Sequence, residues 1–288
     1  MKTVPLPTID YIVLIKSCVG SIDSEELRDK LNNIIDHLIQ EGDDYLLRAP
    51  NSDLYLTPEF MGADDAFVKE NVTKKELKNL YTTQFVPKEK PSRAFYDQIK
   101  LLAPLGICPF CGFGHVKTLD HYLPKAKFPL LSIFPFNLVP CCTDCNNGKN
   151  AKVTNKKEMQ CFHPYYPLPL ITEDQWLFAY IEQSSPAVVK FFVNPPHAWD
   201  AILKIRTRQH FLDYDLDNRF SIQAGTELAN LRNELLIDFE SEGITGVKKT
   251  LLKKARASFM TEKNSWKTAM YAALSNNTWF WSGGFMKS

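Results

Sequence analysis

Residues 108–149 read CPFCGFGHVKTLDHYLPKAKFPLLSIFPFNLVPCCTDCNNGK, and the most informative motifs of the chain lie in this stretch. Two Cys-x-x-Cys pairs bracket it, Cys108 with Cys111 and Cys142 with Cys145. Each short pair can coordinate a metal ion from a tight turn, so the four thiolates suit one tetrahedral structural zinc ion. Ordinary buried cysteines are the alternative, but two such pairs around a polar Asp-His step seldom arise from packing alone. We therefore predict a structural zinc site.

The residues between the cysteine pairs predict a hairpin and a helix. Residues 116–121 form the first expected strand, residues 137–141 the second, and the helix begins at Thr143. This arrangement would set Asp120 and His121 on a strand opposite Asn146 on the helix. The polar groups of the stretch should therefore meet inside the zinc frame.

The stretch resembles the HNH endonuclease family, which is built on a ββα-metal motif. The resemblance covers about fifteen per cent of the chain directly, and its elements are specific in combination though weak singly. The matching elements are Asp120-His121, Asn137 and the segment Cys142-x-x-Cys145-Asn146-x-x-Lys149.

The resemblance implies a role for each matching residue. His121 would be the general base that takes a proton from the attacking water, a task that suits an imidazole because its pKa lies near working pH. Asp120 and Asn146 would hold one catalytic divalent cation, magnesium or manganese, since hard cations prefer oxygen ligands. The cation would stabilise charge on the phosphate and on the departing 3′ oxygen.

The remaining matched residues would position the site and its substrate. Asn137 would fasten the loop between the strands and so orient His121. Lys149 and, in that loop, Lys125 would contact phosphate of the substrate.

Two departures from the commoner family pattern matter. Asn146 stands where a histidine is usual, which gives a neutral oxygen ligand and a weaker preference for nickel or zinc. The loop of residues 122–136 lacks the usual glycine pair. With His163-Pro164-Tyr165-Tyr166, that loop is similar to the HNH nuclease subunits of bacterial anti-phage defence systems of the Septu type. His163 itself either faces the site or is a hydrogen-bonded core residue.

Composition places the chain among ordinary cytoplasmic proteins. Its 288 residues are 44% hydrophobic and 23% charged, and no apolar run reaches the roughly 18 residues of a membrane span. We expect no signal peptide and no membrane partner. An odd count of seven cysteines, four of them in metal spacing, favours a reducing compartment over a disulfide framework.

Charge is unevenly distributed along the chain. The formal net charge is only +1, but residues 85–160 contain eleven basic and five acidic residues, a local charge of +6. A phosphate-binding module inside a nearly neutral protein should show this pattern, although a solvated lysine-rich surface would look the same.

The flanking regions predict an α+β, mostly helical protein. We expect three regions: residues 1–90, mainly helical; residues 91–170, the zinc-stabilised nuclease module; and residues 171–288, mainly helical. Ser24 should cap an amphipathic helix of about fifteen residues, residues 42–70 should be rich in loops, and residues 175–182 and 187–193 should be strands. The aromatic tail of residues 279–285 is either a core cap or a docking peptide.

Three classes of function are compatible with these patterns. The favoured one is a metal-dependent nuclease acting on DNA, or alternatively on RNA such as tRNA, as an anti-phage effector. The second is a zinc-stabilised nucleic-acid-binding module without catalysis. The third is a subunit that cleaves only when assembled with a partner ATPase or sensor. The sequence contains no P-loop motif, so nucleotide-driven switching would come from another chain.

Overall fold

A computed structural model describes residues 2–148 and 154–287 of the chain. It divides the chain into two compact units, Lys2–Tyr166 and Pro167–Ser288. Helices predominate and three two-stranded antiparallel sheets accompany them in the described residues, so the predicted α+β, mostly helical class is confirmed. None of the described helices has both the length and the apolar character needed to span a bilayer.

The unit Lys2–Tyr166 is built from short helices around two small hairpins. Its helices are α1 Tyr11–Gly20, α2 Glu25–Asn33, α3 Ile35–Arg48, α4 Lys74–Asn79, α5 Arg93–Leu101 and α6 Thr143–Gly148. Its strands are β1 Phe67–Lys69, β2 Val72–Thr73, β3 Thr118–His121 and β4 Leu138–Cys141. One core joins the N-terminal helices to β3 and β4, since Leu119 and Leu138 belong to the same buried cluster as Leu14 and Leu31.

Helix caps account for the N-terminal helices. Asp10 begins α1, accepting hydrogen bonds from the backbone N–H groups of Ile12 at 2.9 Å and Val13 at 3.2 Å. Residues 11–15 form the first part of this helix. Ser24 begins α2 as predicted, with its side chain accepting from the N–H of Leu27 at 3.3 Å.

Two expectations for this region were wrong in extent. The helix that begins after Ser24 breaks at Ile34, where ψ rises to 8°, and a second helix continues from Ile35. That second helix runs to Arg48, into a stretch predicted to be loop-rich. It continues because Leu38, Gly42 and Tyr45 extend the buried stripe at helical spacing, and burial of this stripe outweighs the acidic residues on the exposed face.

The hairpin of β3 and β4 lies where the sequence predicted it. Its register pairs Leu119 with Pro140, Asp120 with Val139, and His121 with Leu138. The first strand begins at Thr118, two residues later than predicted, because Val116 N–H already bonds to the carbonyl of Gly106 outside the ladder. The short helix α6 follows β4 directly and contacts β3.

The unit Pro167–Ser288 packs a longer hairpin against long helices. Its elements are α7 Pro169–Glu173, β5 Leu177–Glu182, β6 Val188–Val193, α8 Ala201–Asp213, α9 Leu216–Thr261, α10 Trp266–Asn276 and α11 Thr278–Trp281. Both predicted strands are confirmed. The inner face of the hairpin packs on α9 and α10. Phe280 and Phe285 of the aromatic tail are buried in this unit, as a core cap would be.

Candidate functional site

The four predicted cysteines form one cluster. Their sulfur atoms all lie within 4.8 Å of one another, and all four side chains are buried. The Sγ atoms of Cys111 and Cys142 are 3.9 Å apart. Zinc–sulfur bonds of about 2.3 Å put tetrahedral sulfurs about 3.8 Å apart, whereas a disulfide needs about 2.05 Å. The cluster therefore has the donor set and the spacing of a structural zinc site.

The first cysteine pair lies in a tight turn that glycine makes possible. Gly112 N–H donates to the carbonyl of Cys108 at 2.8 Å, and Gly112 has a left-handed φ of +75°. Gly114 N–H donates to Cys111 Sγ at 3.3 Å. A Cβ at Gly114 would lie only 2.9 Å from the sulfur of Cys142, so no larger residue fits there without a shift. The two glycines therefore allow the backbone of this turn to pack closely against the cysteine sulfurs.

The second cysteine pair joins the end of β4 to α6. Cys145 N–H donates to Cys142 Sγ at 3.4 Å, the same type of contact as in the first pair. Hydrogen bonds with Cys108, Cys142 and Cys145 lower the pKa of Cys111. Hydrogen bonds with Cys108 and Cys145 lower the pKa of Cys142 to about 6, although the one with Cys111 raises it. Hydrogen bonds within the cluster raise the pKa of Cys108 and Cys145. The cluster thus contains two thiols with lowered pKa values and two with raised pKa values. Binding of a divalent cation to the four sulfurs would release the protons that the thiols still hold.

His121 is buried at the end of β3 and is held by a backbone carbonyl. Its Nε2 lies 2.8 Å from the carbonyl oxygen of Ser132, in the loop between β3 and β4. Because a carbonyl oxygen only accepts, Nε2 carries the hydrogen of this bond, and in the neutral ring Nδ1 then holds the lone pair. The contact thus selects the tautomer of the neutral ring that carries its hydrogen on Nε2.

Asn137 fastens the loop between the strands from inside the protein. Its side chain is fully buried, and its Oδ1 accepts from the N–H of Leu123 at 2.7 Å. Its Nδ2 donates to the carbonyls of Leu123 at 3.0 Å and Leu131 at 3.2 Å. The amide therefore fixes both ends of the segment that supplies the Ser132 carbonyl to His121.

Asp120 and Asn146 lie on neighbouring elements. Asp120 is buried on β3, and Asn146 is half-buried on α6, which contacts β3. Their carboxylate and amide oxygens are the hard ligands that magnesium and manganese prefer. Lys149, predicted to contact phosphate, lies outside the described residues.

Tyr81 is a site residue that sequence reasoning missed. Its ring packs edge-on against the His121 ring, with centroids 4.5 Å apart, and its hydroxyl donates to the carbonyl of Leu119 at 3.3 Å. It lies in a π-helical segment, Leu80–Phe85, which directly follows α4. Such segments occur often at functional sites, but Tyr81 stands forty residues before His121 and no local motif marks it.

Lys125 also lies at Tyr81. Its Nζ is 4.6 Å from the centroid of the Tyr81 ring, a cation–π contact. Burial and the nearby charge of Lys78 lower the pKa of Lys125. Tyr81 thus brings the predicted phosphate-contacting lysine and the predicted base to one side chain.

His163 is a hydrogen-bonded core residue. Its Nδ1 accepts from the N–H of Tyr165 at 3.2 Å, and its Nε2 is 2.7 Å from the Tyr45 hydroxyl, which reaches the carbonyl of Phe136 at 3.2 Å. Its ring stacks on Tyr122 with centroids 4.1 Å apart. The segment around His163 therefore packs against the loop between β3 and β4.

Fold and site together define an α+β protein with a buried four-cysteine cluster, able to hold zinc, beside a short hairpin and helix. No protein-family model matches the chain, and no solved structure matches it. The chain is 30% identical over 299 aligned residues to Protein ea31 of Escherichia phage lambda, in an alignment that covers 98% of this chain and 100% of the phage protein. It belongs to the same family as that phage protein.

Proposed function

We propose that this chain is a metal-dependent HNH endonuclease that hydrolyses phosphodiester bonds of nucleic acid, with DNA as the favoured substrate. The observation that carries the proposal is the contact between His121 Nε2 and the Ser132 carbonyl, inside a hairpin and helix framed by four cysteines. A general base must be held in one tautomer and one orientation, and this contact supplies both.

The proposed reaction is attack of water on the phosphorus atom. His121 Nδ1 takes the proton of the water as its oxygen bonds to phosphorus, and the bond from phosphorus to the 3′ oxygen breaks. Asp120 and Asn146 would hold a magnesium or manganese ion, which when bound supplies positive charge for the developing negative charge on the phosphate. Asn137 holds the loop, and through it the ring of His121, in place.

Lys125 provides a cation for the substrate phosphate. In the described part of the chain, Lys125 makes no ion pair with a carboxylate. Lys127 of the same loop, by contrast, forms an ion pair with Glu59 at 3.4 Å. An ammonium group over an aromatic ring, with part of its hydration removed, gains more from a phosphate oxygen than a fully solvated lysine does. This arrangement supports a phosphodiester as the substrate class.

The biological setting is part of the proposal. The resemblance to defence nucleases favours an anti-phage effector, active in the cytoplasm. An unrestrained nuclease would injure its host, so we propose control by a partner ATPase or sensor protein. The four-cysteine cluster would hold structural zinc and take no part in the reaction.

Substitution of His121 tests the proposal. Plasmid DNA, single-stranded DNA and total tRNA are incubated with the purified chain and magnesium or manganese. His121→Ala should reduce the cleavage rate by about 10²–10⁴-fold, the usual contribution of a general base, while the zinc content stays unchanged. The matched control is His115→Ala, an exposed histidine of the same segment, which should cleave like the parent.

Other outcomes have defined meanings. Cleavage by His121→Ala at the parent rate would contradict the assignment of the base. Tight binding of nucleic acid by the parent, with no cleavage of any substrate in either metal or with candidate partners, would favour a zinc-stabilised binding module.

A further inference from the structure

The hairpin of β5 and β6 has one face that the core does not use. Its register places Phe178 opposite Phe192 and Tyr180 opposite Lys190, and these four residues share the outer face because side chains alternate along a strand. The side chain of Tyr180 is 54% exposed and that of Phe192 is 40% exposed. The inner face, with Val189 and Phe191 buried, packs on the helices. The core therefore packs on the inner face and leaves the outer aromatic rings partly exposed.

The three outer rings form one aromatic surface. Phe178 and Phe192 are nearly parallel, with centroids 6.0 Å apart and an angle of 27° between the rings. The Tyr180 ring lies 6.2 Å from that of Phe192. Lys190 stands beside Tyr180 in the register. Contiguous exposed aromatic surface of this kind is uncommon on a face that binds nothing.

A basic pocket of about 450 Å³ adjoins the aromatic surface at Phe178. Lys204, Arg208 and His197 line it, and none of its eight lining residues is acidic. Lys204 Nζ donates to the carbonyl of His197 at 2.7 Å, which holds its charge at the pocket. Arg208 is exposed and makes no ion pair in the described part of the chain. The pocket thus offers fixed positive charge to an anion.

A second pocket, of about 440 Å³, lies on the other side of Phe178, between β5 and α10. Ala269, Ala272 and Ala273 line its helix side together with Asn276 and Asn277, so this wall combines small apolar side chains with amides. Gln175 lines both pockets and supplies an amide between them. Partly apolar space with amides on one side of the rings, and positive charge on the other side, complements a base linked to a phosphate.

We propose that the outer face of β5 and β6 binds single-stranded nucleic acid. Bases stack on Phe178, Tyr180 and Phe192, and the backbone phosphates bind at Lys204 and Arg208. Only an unpaired strand can offer the faces of its bases to these rings, and stacking of this kind tolerates any base sequence. An acidic peptide would use the cations but has no use for the aromatic surface. The proposal concerns binding alone and does not rest on cleavage at His121.

The test measures binding by the full-length chain in magnesium-free buffer, by fluorescence anisotropy of labelled oligonucleotides. The probes are a DNA strand of twelve thymidine nucleotides, an RNA strand of twelve uridine nucleotides and a duplex of equal length. Comparison of the two single strands distinguishes DNA from RNA. Both strands, or one of them, should bind more tightly than the duplex. Phe192→Leu and Tyr180→Leu should each weaken binding by about five- to 150-fold, the range for loss of one stacked ring.

The controls match each substitution in chemistry and exposure. Phe259→Leu removes an aromatic ring that is 42% exposed on α9, away from both pockets, and should leave affinity unchanged. Arg208→Gln should lower the slope of log affinity against log salt by about 0.7, the value for one lost phosphate contact on a single strand. Arg256→Gln, an exposed arginine on α9, should not change that slope.

Several results would overturn the proposal. Unchanged affinity in both ring variants, or a duplex bound as tightly as the single strands, would exclude stacking on this face. Loss of polyglutamate binding in Arg208→Gln, without any binding of oligonucleotides, would assign the face to an acidic peptide. Dimerisation of the parent that Tyr180→Leu abolishes would assign it to a second copy of the chain. Failure of the proposed nuclease would appear separately, as equal cleavage by the parent and His121→Ala.

Discussion

The two larger hairpins of this protein are built in opposite ways. In β3 and β4 the strands have four residues each, and every residue except Thr118 is buried. In β5 and β6 the strands have six residues each, and buried residues alternate with more exposed ones from Val188 to Phe192 on β6. The first hairpin carries its polar residues inside, among hydrogen-bond partners. The second carries aromatic residues outside.

The difference follows from what each hairpin is proposed to do. The proposed base, His121, would have to keep one tautomer and one position, and the Ser132 carbonyl and the Tyr81 ring contact it. A binding face must meet a ligand from solvent, so its rings stay accessible. The short strands β3 and β4 form too few backbone hydrogen bonds to hold the first hairpin in place alone. The cysteine cluster and the contacts of the loop supply the additional stabilisation.

The largest effect should come from the cysteine cluster. Cys142→Ser removes one of four candidate zinc ligands, and structural zinc contributes about 10–16 kcal/mol in zinc-finger peptides, as much as a typical domain's total stability of about 5–15 kcal/mol. We expect the chain to lose its zinc and the amides of β3 and β4 to lose protection against hydrogen exchange. The amides of β5 and β6 should keep theirs, because that hairpin has its own core.

Cys161→Ser is the matched control for this substitution. Cys161 is half-buried and lies outside the cluster, so its substitution should leave the zinc content unchanged. Atomic absorption measures the zinc content of both variants, and mass spectrometry measures the hydrogen exchange of their amides. Retention of stoichiometric zinc by Cys142→Ser would contradict the four-ligand site.

A smaller effect should follow from loss of the loop fastening. Asn137→Ala removes the partner of the Leu123 N–H and of the Leu123 carbonyl, whereas the Leu131 carbonyl keeps the N–H of Phe134, and each unsatisfied buried group costs about 1–3 kcal/mol. We expect a loss of about 3 kcal/mol in the stability of the unit Lys2–Tyr166, seen as a lower denaturant midpoint. Faster exchange at the Leu123 amide should accompany it.

Asn146→Ala provides the contrast, because both substitutions truncate an asparagine of the same segment. Asn146 is half-buried, and its side chain carries no structural hydrogen bond in the described residues, so stability should change by less than about 0.5 kcal/mol while cleavage falls. Equal loss of stability in the two variants would assign Asn146 to the structure and remove it from the proposed metal site.

The sequence predicted the two hairpins through different signals. Cysteine spacing located β3, β4 and α6, because a metal cluster restricts where its ligands can lie. Alternation of residue types along the sequence located β5 and β6. Local signals also located the Ser24 cap. They failed at Ile34, where the helix breaks, and at Arg48, where it ends, because burial of Leu38 and Tyr45 in a core assembled from distant segments determines both.

The candidate site was predictable only in part. Asn137 was expected to fasten the loop, and its three hydrogen bonds do join the loop ends. Tyr81 and the Ser132 carbonyl were not predicted, because neither stands near His121 in a motif. A backbone carbonyl carries no sequence signal at all, and a tyrosine from a distant π-helical segment reaches the site only through the tertiary fold.

The smallest effect should come from the outer face of the second hairpin. Tyr180→Ser removes a side chain that is 54% exposed, so the stability of its unit should fall by less than about 1 kcal/mol. Leu119→Ala, in the first hairpin, removes a side chain only 2% exposed and should lower the stability of its unit by about 2–5 kcal/mol. Denaturation followed by hydrogen exchange reports the two units separately. A loss above about 2 kcal/mol in Tyr180→Ser would mean that the aromatic rings stabilise the hairpin itself, and their exposure would then no longer favour a binding role.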